Sequence, residues 1–238
     1  MTNFAKFAPE EGAAVVIGAS GGIGAALADC LTQRGHVAVH RLARSGPIAC
    51  DITDQTSIRA ALDEVLAGPP ITRVMIASGL LHDGNRGPEK SLRQLDADWL
   101  ARTFAVNSIG PALILGHLLP RLPRDRRVEV AALGARVGSI SDNRLGGWFS
   151  YRASKAALHQ IIRTAAIEWA RSHPEGIVVA LHPGTVTTQL SAPFTRAGDG
   201  RSLLSPTESA ENLLDVLAAL SAQQSGRIFD WRGQEIQP

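Results

Sequence analysis

Only two cysteines, Cys30 and Cys50, occur in the 238 residues, and they lack the spacing of a metal site. Two thiols cannot lay out a disulfide framework, so both read as buried small residues. Aromatic residues make up 5% of the chain, which leaves Ala, Leu, Val and Ile to fill any core. The opening residues MTNFAKFAPEEG lack the apolar stretch of about 7–15 residues that a signal peptide carries. Nowhere do about 18 apolar residues run unbroken, the length of a membrane span. A soluble, cytoplasmic protein is expected. An excess of one charge is missing too, because 24 Lys and Arg stand against 22 Asp and Glu for a net charge of +2. Basic residues are scattered singly apart from RDRR at 124–127, which reads as a solvated turn, so no nucleic-acid footprint is visible. His82 and His182 have no second ligand at metal spacing, and no metal is expected.

A composition of 45% hydrophobic and 19% charged residues supplies a large core and argues against disorder. The length suits one α/β domain spanning 1–238. Short apolar runs at 13–19, 36–43, 71–78, 127–133 and 176–184 alternate with helix-length amphipathic segments. Those helical segments run to Gln33 and over 57–67, 97–122 and 150–173. Such alternation predicts a doubly wound parallel sheet of about seven strands with helices on both faces. Pro120, Pro123 and Pro174 mark helix ends, and Ser205-Pro206-Thr207-Glu208 reads as a cap opening a helix over about 208–221. The aperiodic segment 190–205 is expected to be a loop over a site.

Gly18-Ala19-Ser20-Gly21-Gly22-Ile23-Gly24 follows the first strand and opens the first helix. Phosphate binding needs backbone N–H donors at close range and the positive end of a helix dipole, and glycines permit that approach. A plain tight turn is the alternative. Asp51, at the end of the third strand, would accept a hydrogen bond from an adenine amino group or else cap the helix over 54–66. The second strand ends in HRLARSG, without the acid that would hold a ribose 2′-hydroxyl. Arg41 and Arg44 therefore favour NADP(H), with NAD(H) possible, because guanidinium pairs well with phosphate.

Tyr151 and Lys155, four residues apart, project from one helical face. The ammonium would favour the phenolate and bring the phenol down from its ordinary pKa of about 10, making Tyr151 an acid or base for carbonyl chemistry. Trp148, Leu190 and Phe194 would give the substrate an apolar wall.

With these motifs the chain resembles the short-chain dehydrogenase/reductase family over essentially its whole length. GASGGIG at 18–24, CDITD at 50–54, Asn107, YRASK at 151–155 and HPGTVTT at 182–188 carry the resemblance. RVGSISDNRLGGW and SGRIFDWRGQEI are similar to the branch of C-factor-like and sniffer-like carbonyl reductases. The resemblance implies a single-domain Rossmann fold and hydride transfer between a nicotinamide and a carbonyl or carbinol carbon. Tyr151 would be the acid or base. Lys155 would hold the ribose, and Asn107 would hold a water linking the lysine to solvent. It implies that the cofactor is held by Gly18, Ser20, Gly22, Ile23 and Gly24, then by Asp51, Ile52, Ala77, Ser78 and Gly79. Pro183, Gly184, Val186 and Thr188 would complete that site. It also implies a homodimer or homotetramer acting on a small carbonyl or alcohol.

Two departures stand out. Ile76-Ala77-Ser78-Gly79 replaces the family's N-N-A-G, which removes a side chain that ties neighbouring strands. Gly134-Ala135-Arg136-Val137-Gly138 replaces S-S-R-V-G, and Ala135 cannot donate a hydrogen bond to a substrate oxygen. Ser139, twelve residues before Tyr151, is the first candidate for that role, ahead of Ser141, with water or no replacement also open. Loss of such a donor costs about 10²–10³ in turnover. The rival reading is therefore a weakly catalytic cofactor-binding homologue that acts as a sensor or hetero-oligomer partner.

Overall fold

A computed structural model describes residues 11–84, 86–194 and 203–238. The five predicted apolar runs become β1 (Ala13–Ile17), β2 (Val39–Ala43), β4 (Ile71–Ile76), β5 (Val128–Leu133) and β6 (Gly176–His182), and the short β3 (Ile48–Ala49) lies outside them, just before Asp51. β7 (Thr185–Val186) and β8 (Leu203–Leu204) make a separate small pair, and β9 (Ile228–Asp230) closes the main sheet. That sheet has seven parallel strands in the order β3-β2-β1-β4-β5-β6-β9. Every residue of β1, β4 and β5 is buried. Covering helices on both faces explain why these strands read as continuous apolar runs instead of alternating ones.

The helices are α1 (Gly22–Gln33), α2 (Gln55–Leu66), α3 (Ala97–Phe104), α4 (Gly110–Leu118), α5 (Phe149–Trp169) and α6 (Pro206–Ala219). Leu27 and Leu31 of α1 with Leu213, Leu214 and Leu217 of α6 build the core on one face. Ile58 and Leu62 of α2, Ile114 and Leu118 of α4, and Leu158 and Ile162 of α5 build it on the other. The result is a single-domain Rossmann-like fold, as the alternation predicted.

Several boundaries shift for local reasons. The expected continuous helix over 97–122 is interrupted by a π-turn at Ala105–Ile109 and ends in a tight turn at Leu119–Arg121. The helix expected to reach 173 ends at Trp169, and a turn follows in which the His173 ring stacks on the Trp169 indole. Ser205 caps α6 reciprocally with Glu208, as its sequence signature predicts. Within the expected loop 190–205, residues 195–202 lie outside the described residues. Leu203–Leu204 form a strand where a loop was expected.

Charge also enters the sheet itself. Arg73 on β4 and Glu129 on β5 pair with both side chains at 0% exposure. Arg127 reaches the other carboxylate oxygen at 2.7 Å and donates to the α6 C-terminal carbonyls of Leu217, Ala218 and Leu220. The last arginine of RDRR is thus a structural clamp and not part of a solvated turn. By length and composition Ala97–Arg121 would suffice to cross a membrane, yet half of that window is buried inside the fold, as expected of a core helix.

Candidate active site

The motif residues gather at the C-terminal ends of the parallel strands, around β1 and β4, where the strand order reverses direction. In open α/β sheets that reversal opens a crevice for ligands. Gly18 ends β1 with φ +82°, and a Cβ there would lie 2.8 Å from Ser78 N. One on Gly24 would lie 2.2 Å from Gly18 O, so the turn closes tightly only without side chains. Ser20, Gly21 and Gly22 are exposed. The first turn of α1 has neither a side-chain cap nor an acidic residue. Its amides and dipole therefore face outward unopposed, which fits a pyrophosphate. Thr188 packs its methyl beside Gly22, and its amide donates to Ser191 Oγ at 3.1 Å. The turn holds this position through its packing, and Ile23 lies against the α1–α6 core.

Arg41 on β2 is paired with Asp29 of α1 at 2.6 Å, so an acid absent from the strand's own sequence reaches it from the helix. Arg44, past the strand end, is exposed and makes no ion pair among the described residues. Asp51 accepts from Thr53 N at 2.9 Å and Thr53 Oγ1 at 2.7 Å. These bonds hold its carboxyl below the ordinary range, chiefly through the Thr53 amide. The cap of α2 is Asp54, which accepts from Thr56 N, so Asp51 is not the helix cap. Ile52 is buried against Gly110, where a Cβ would meet its Cγ1 at 2.3 Å.

Ala77 N donates to Ile17 O, which keeps the β4 end beside β1. The loop that follows Gly79 is held from the π-turn. Asn107 accepts from Leu80 N and donates to Leu80 O, both at 2.8 Å, and also donates to Ser154 Oγ at 3.1 Å. A π-turn widens the helix locally and is a recurrent device at functional sites. Here it brings a fully buried Asn107 onto both the β4 loop and α5.

On α5, Lys155 Nζ donates to Leu133 O at 2.7 Å and stands 5.8 Å from the centre of the Tyr151 ring. Burial pushes the Tyr151 phenol up to about 12 and the Lys155 ammonium down to about 8. The expected lowering of the phenol is thus reversed. Loss of water around a phenolate outweighs an ammonium already engaged by a carbonyl. Ser139 is 1% exposed, and its hydroxyl accepts from Asp142 N at 3.2 Å and lies 3.3 Å from Ser141 Oγ. Gly138, just before it, packs directly on Lys155. Ala135 is buried without a polar side-chain atom to offer.

Trp148 and Phe194 stand edge to face with ring centres 5.2 Å apart, and Trp148 lies 6.2 Å from Tyr151. His82 extends the row at 5.7 Å from Phe194, and its Nε2 reaches Gln189 O at 3.1 Å. Leu190, in the turn beside this row, is half-buried. Pro183 O accepts from Ser209 Oγ, Gly184 packs under Trp231, and Val186 is buried on β7. This packing fixes the loop after β6 beside the glycine turn. Among the described residues no cluster of metal-ligating side chains occurs.

Glu89 is a residue the sequence reading missed. It is 2% exposed, its carbonyl accepts from Trp148 N at 2.5 Å, and its carboxylate accepts from Ser150 N and Ser150 Oγ. It therefore caps α5 from 61 residues away while Gly146, Gly147 and Trp148 adopt φ of 64°, 66° and 54°. Its only local signal was an acid in a loop. Glu89→Ala is expected to cost about 1.5–3 kcal/mol of stability. It should raise substrate KM more than it lowers kcat, because Ser150, two residues past Trp148, loses the carboxylate that fixes the start of α5. An unchanged KM in steady-state kinetics would refute that role.

The chain is similar to known proteins in sequence and in fold. The family model described as short chain dehydrogenase matches residues 12–198. The C-signal of Myxococcus xanthus is 35% identical over 147 residues, covering 61% of this chain and 82% of that protein. A Burkholderia multivorans structure assigned as a short-chain dehydrogenase/reductase, with bound NADP, shares 27% identity at a TM-score of 0.79, covering 95% of this chain and 99% of the other. A carbonyl reductase from Pseudomonas aeruginosa shares 26% identity at a TM-score of 0.75, with 95% and 99% coverage.

Proposed function

Because the chain belongs to the short chain dehydrogenase family, we propose that it reduces a small or medium-sized apolar carbonyl compound with NADPH, Tyr151 supplying the proton. Membership itself makes it an NAD(P)-dependent oxidoreductase. The observation that carries the finer reading is the stack of Lys155, Tyr151, Trp148 and Phe194 beside an uncapped helix N-terminus. The Pseudomonas aeruginosa relative, a carbonyl reductase, supports it. The test is carbonyl-dependent NADPH oxidation with a reactive apolar dicarbonyl, run beside Tyr151→Phe.

When bound, the reduced nicotinamide supplies a hydride. Everything else falls to the chain. A phenol raised to about 12 is un-ionised at neutral pH and is therefore an acid, which suits reduction of a carbonyl. Lys155, positively charged below about 8, stabilises the phenolate left behind and holds the ribose hydroxyls. Ser139 is the first candidate to hold the substrate oxygen, with Ser141 or water as alternatives. Trp148, Leu190 and Phe194 keep bulk water from the reacting carbon.

A pH dependence follows. The ammonium is present below about 8 and is lost as pH rises through that value, whereas the phenol stays protonated to about 12. Reduction should hold a plateau near neutrality and fall above pH 8 in a profile of kcat/KM; a plateau extending past pH 10 would refute the role of the lysine.

Arg44, exposed past β2 and in no ion pair among the described residues, is the side chain suited to a 2′-phosphate. Arg44→Ala should weaken NADPH binding roughly tenfold, since a hydrogen bond to a charged group is lost, and leave NADH nearly unchanged. Equal losses for both cofactors, read by fluorescence titration, would remove that assignment.

The reading includes a cytoplasmic homodimer or homotetramer. Ile109 and Ile167, on the long helices, are each about half exposed, and Cys30 and Cys50 are free thiols. Ala135 favours a second reading, a cofactor-binding homologue with little turnover. NADPH binding without oxidation across a panel of carbonyls would select it.

A further inference from the structure

One turn beyond Lys155 on the same face of α5 lies His159, 5% exposed, with neither ring nitrogen in a hydrogen bond among the described residues. Its ring lies against the backbone after β5. A Cβ on Gly134 would be 2.8 Å from His159 Nε2, and one on Gly138 would be 2.8 Å from both His159 Cε1 and Lys155 Cβ. Lys155 Nζ meets the same stretch at Leu133 O, 2.7 Å away. Glycines at 134 and 138 thus let lysine and histidine converge on one peptide segment.

The neighbouring strand continues the polar path. Gly134 N donates to Leu181 O, so His182 comes next beside this segment, and its Nδ1 is likewise buried without a partner. His182 pairs in register with Asp230 on β9. Asp230 accepts from Arg136 Nη2 at 3.2 Å, and the Arg136 side chain is 45% exposed. Three imidazole nitrogens, orphans among the described residues, therefore accompany the buried ammonium of Lys155 and a charged pair whose arginine, Arg136, reaches the surface while Asp230 is buried. A buried polar atom without a partner is costly, and an internal water with several polar neighbours is the usual remedy.

We infer that His159 and His182 hold buried water and form a proton path from solvent at Arg136–Asp230 to Lys155. The inference rests on the reductase reading above. Each carbonyl reduced takes one hydride from the nicotinamide cofactor and one proton. The Tyr151 O–H bond breaks as the alcohol O–H forms, and the phenolate regains a proton from the Lys155 ammonium. The resulting amine must then be reprotonated from solvent. A neutral imidazole accepts at one nitrogen and releases from the other, so it passes a proton without net change. Burial, with Lys155 and His182 nearby, holds His159 at about 4. Burial and Arg136, opposed by Asp230, hold His182 at about 4 as well. Both rings are therefore neutral at pH 7.

The test pairs His159→Leu, which keeps the volume and removes the nitrogens, with His159→Asn, which keeps a polar group for water. Leucine should lower kcat about tenfold, less than the ~10²–10⁴-fold of a group that protonates substrate directly, because His159 acts through Lys155. It should also enlarge the solvent deuterium isotope effect, with NADPH affinity unchanged and asparagine partly restoring the rate. Unaltered kcat and isotope effect in both variants would overturn the path. A readout free of turnover is a water contact at the His159 N–H, sought by proton NMR on the protein without substrate. Its presence supports the buried water, and its absence overturns the inference. If the wild type itself reduces no carbonyl, the reductase reading fails, and the NMR contact alone then decides the water link.

Discussion

Replacing Tyr151 by Phe should lower carbonyl-dependent NADPH oxidation by about 10²–10⁴-fold, the usual contribution of a positioned general acid. The change removes one oxygen and keeps the ring that Trp148 and Lys155 pack against. Fold and cofactor binding should both survive it, so the loss belongs in kcat and not in NADPH affinity. Tyr151 is also the only tyrosine of the chain, which makes its ionisation directly visible in an ultraviolet pH titration. That titration should show no phenolate below pH 10, consistent with a phenol pushed up to about 12 by burial. Near wild-type turnover in Tyr151→Phe would end the acid assignment, whatever the titration showed.

Glu129→Gln should unfold the protein at a markedly lower temperature. Arg73 and Glu129 are both fully buried between the central strands β4 and β5, where a lone charge has no water to solvate it. Removing one partner of such a pair costs about 3–5 kcal/mol. For a chain of this size that corresponds to a Tm lower by roughly 10 °C. Arg127 would lose its anchor on Glu129 as well, leaving its bonds to the α6 C-terminus as its remaining hold. Replacing Arg73 and Glu129 together by Met and Leu should recover most of the loss, because the desolvation cost disappears with both charges. A single variant melting within about 2 °C of the wild type would show that the pair is dispensable. That result would leave the site chemistry untouched.

How much of this was legible along the chain depended on the range of the interactions. The doubly wound sheet followed from alternating apolar runs, since burial on both faces leaves that signature locally. Likewise the glycine turn, the Ser205–Glu208 cap and the Tyr151–Lys155 pair are written within a few residues, and each formed where it was expected. The π-turn that turns Asn107 onto Leu80 left no local mark, nor did Glu89 reaching Ser150 or Arg73 finding Glu129 56 residues away. The tyrosine pKa went the other way from expectation for a related reason. Sequence gives the neighbouring charge, but the surrounding atoms decide how much water a phenolate loses.

The amino-acid order alone therefore determined the fold class, the glycine turn and the Tyr151–Lys155 pair, because these depend on periodicity, chain stiffness and fixed short spacings. Tertiary structure alone decided that Asp54 rather than Asp51 caps α2, that Arg41 is occupied by Asp29 while Arg44 stays exposed, and that His159 lies beside Lys155. Such outcomes depend on which distant groups share a buried volume, and that is settled only when the sheet and its helices have packed.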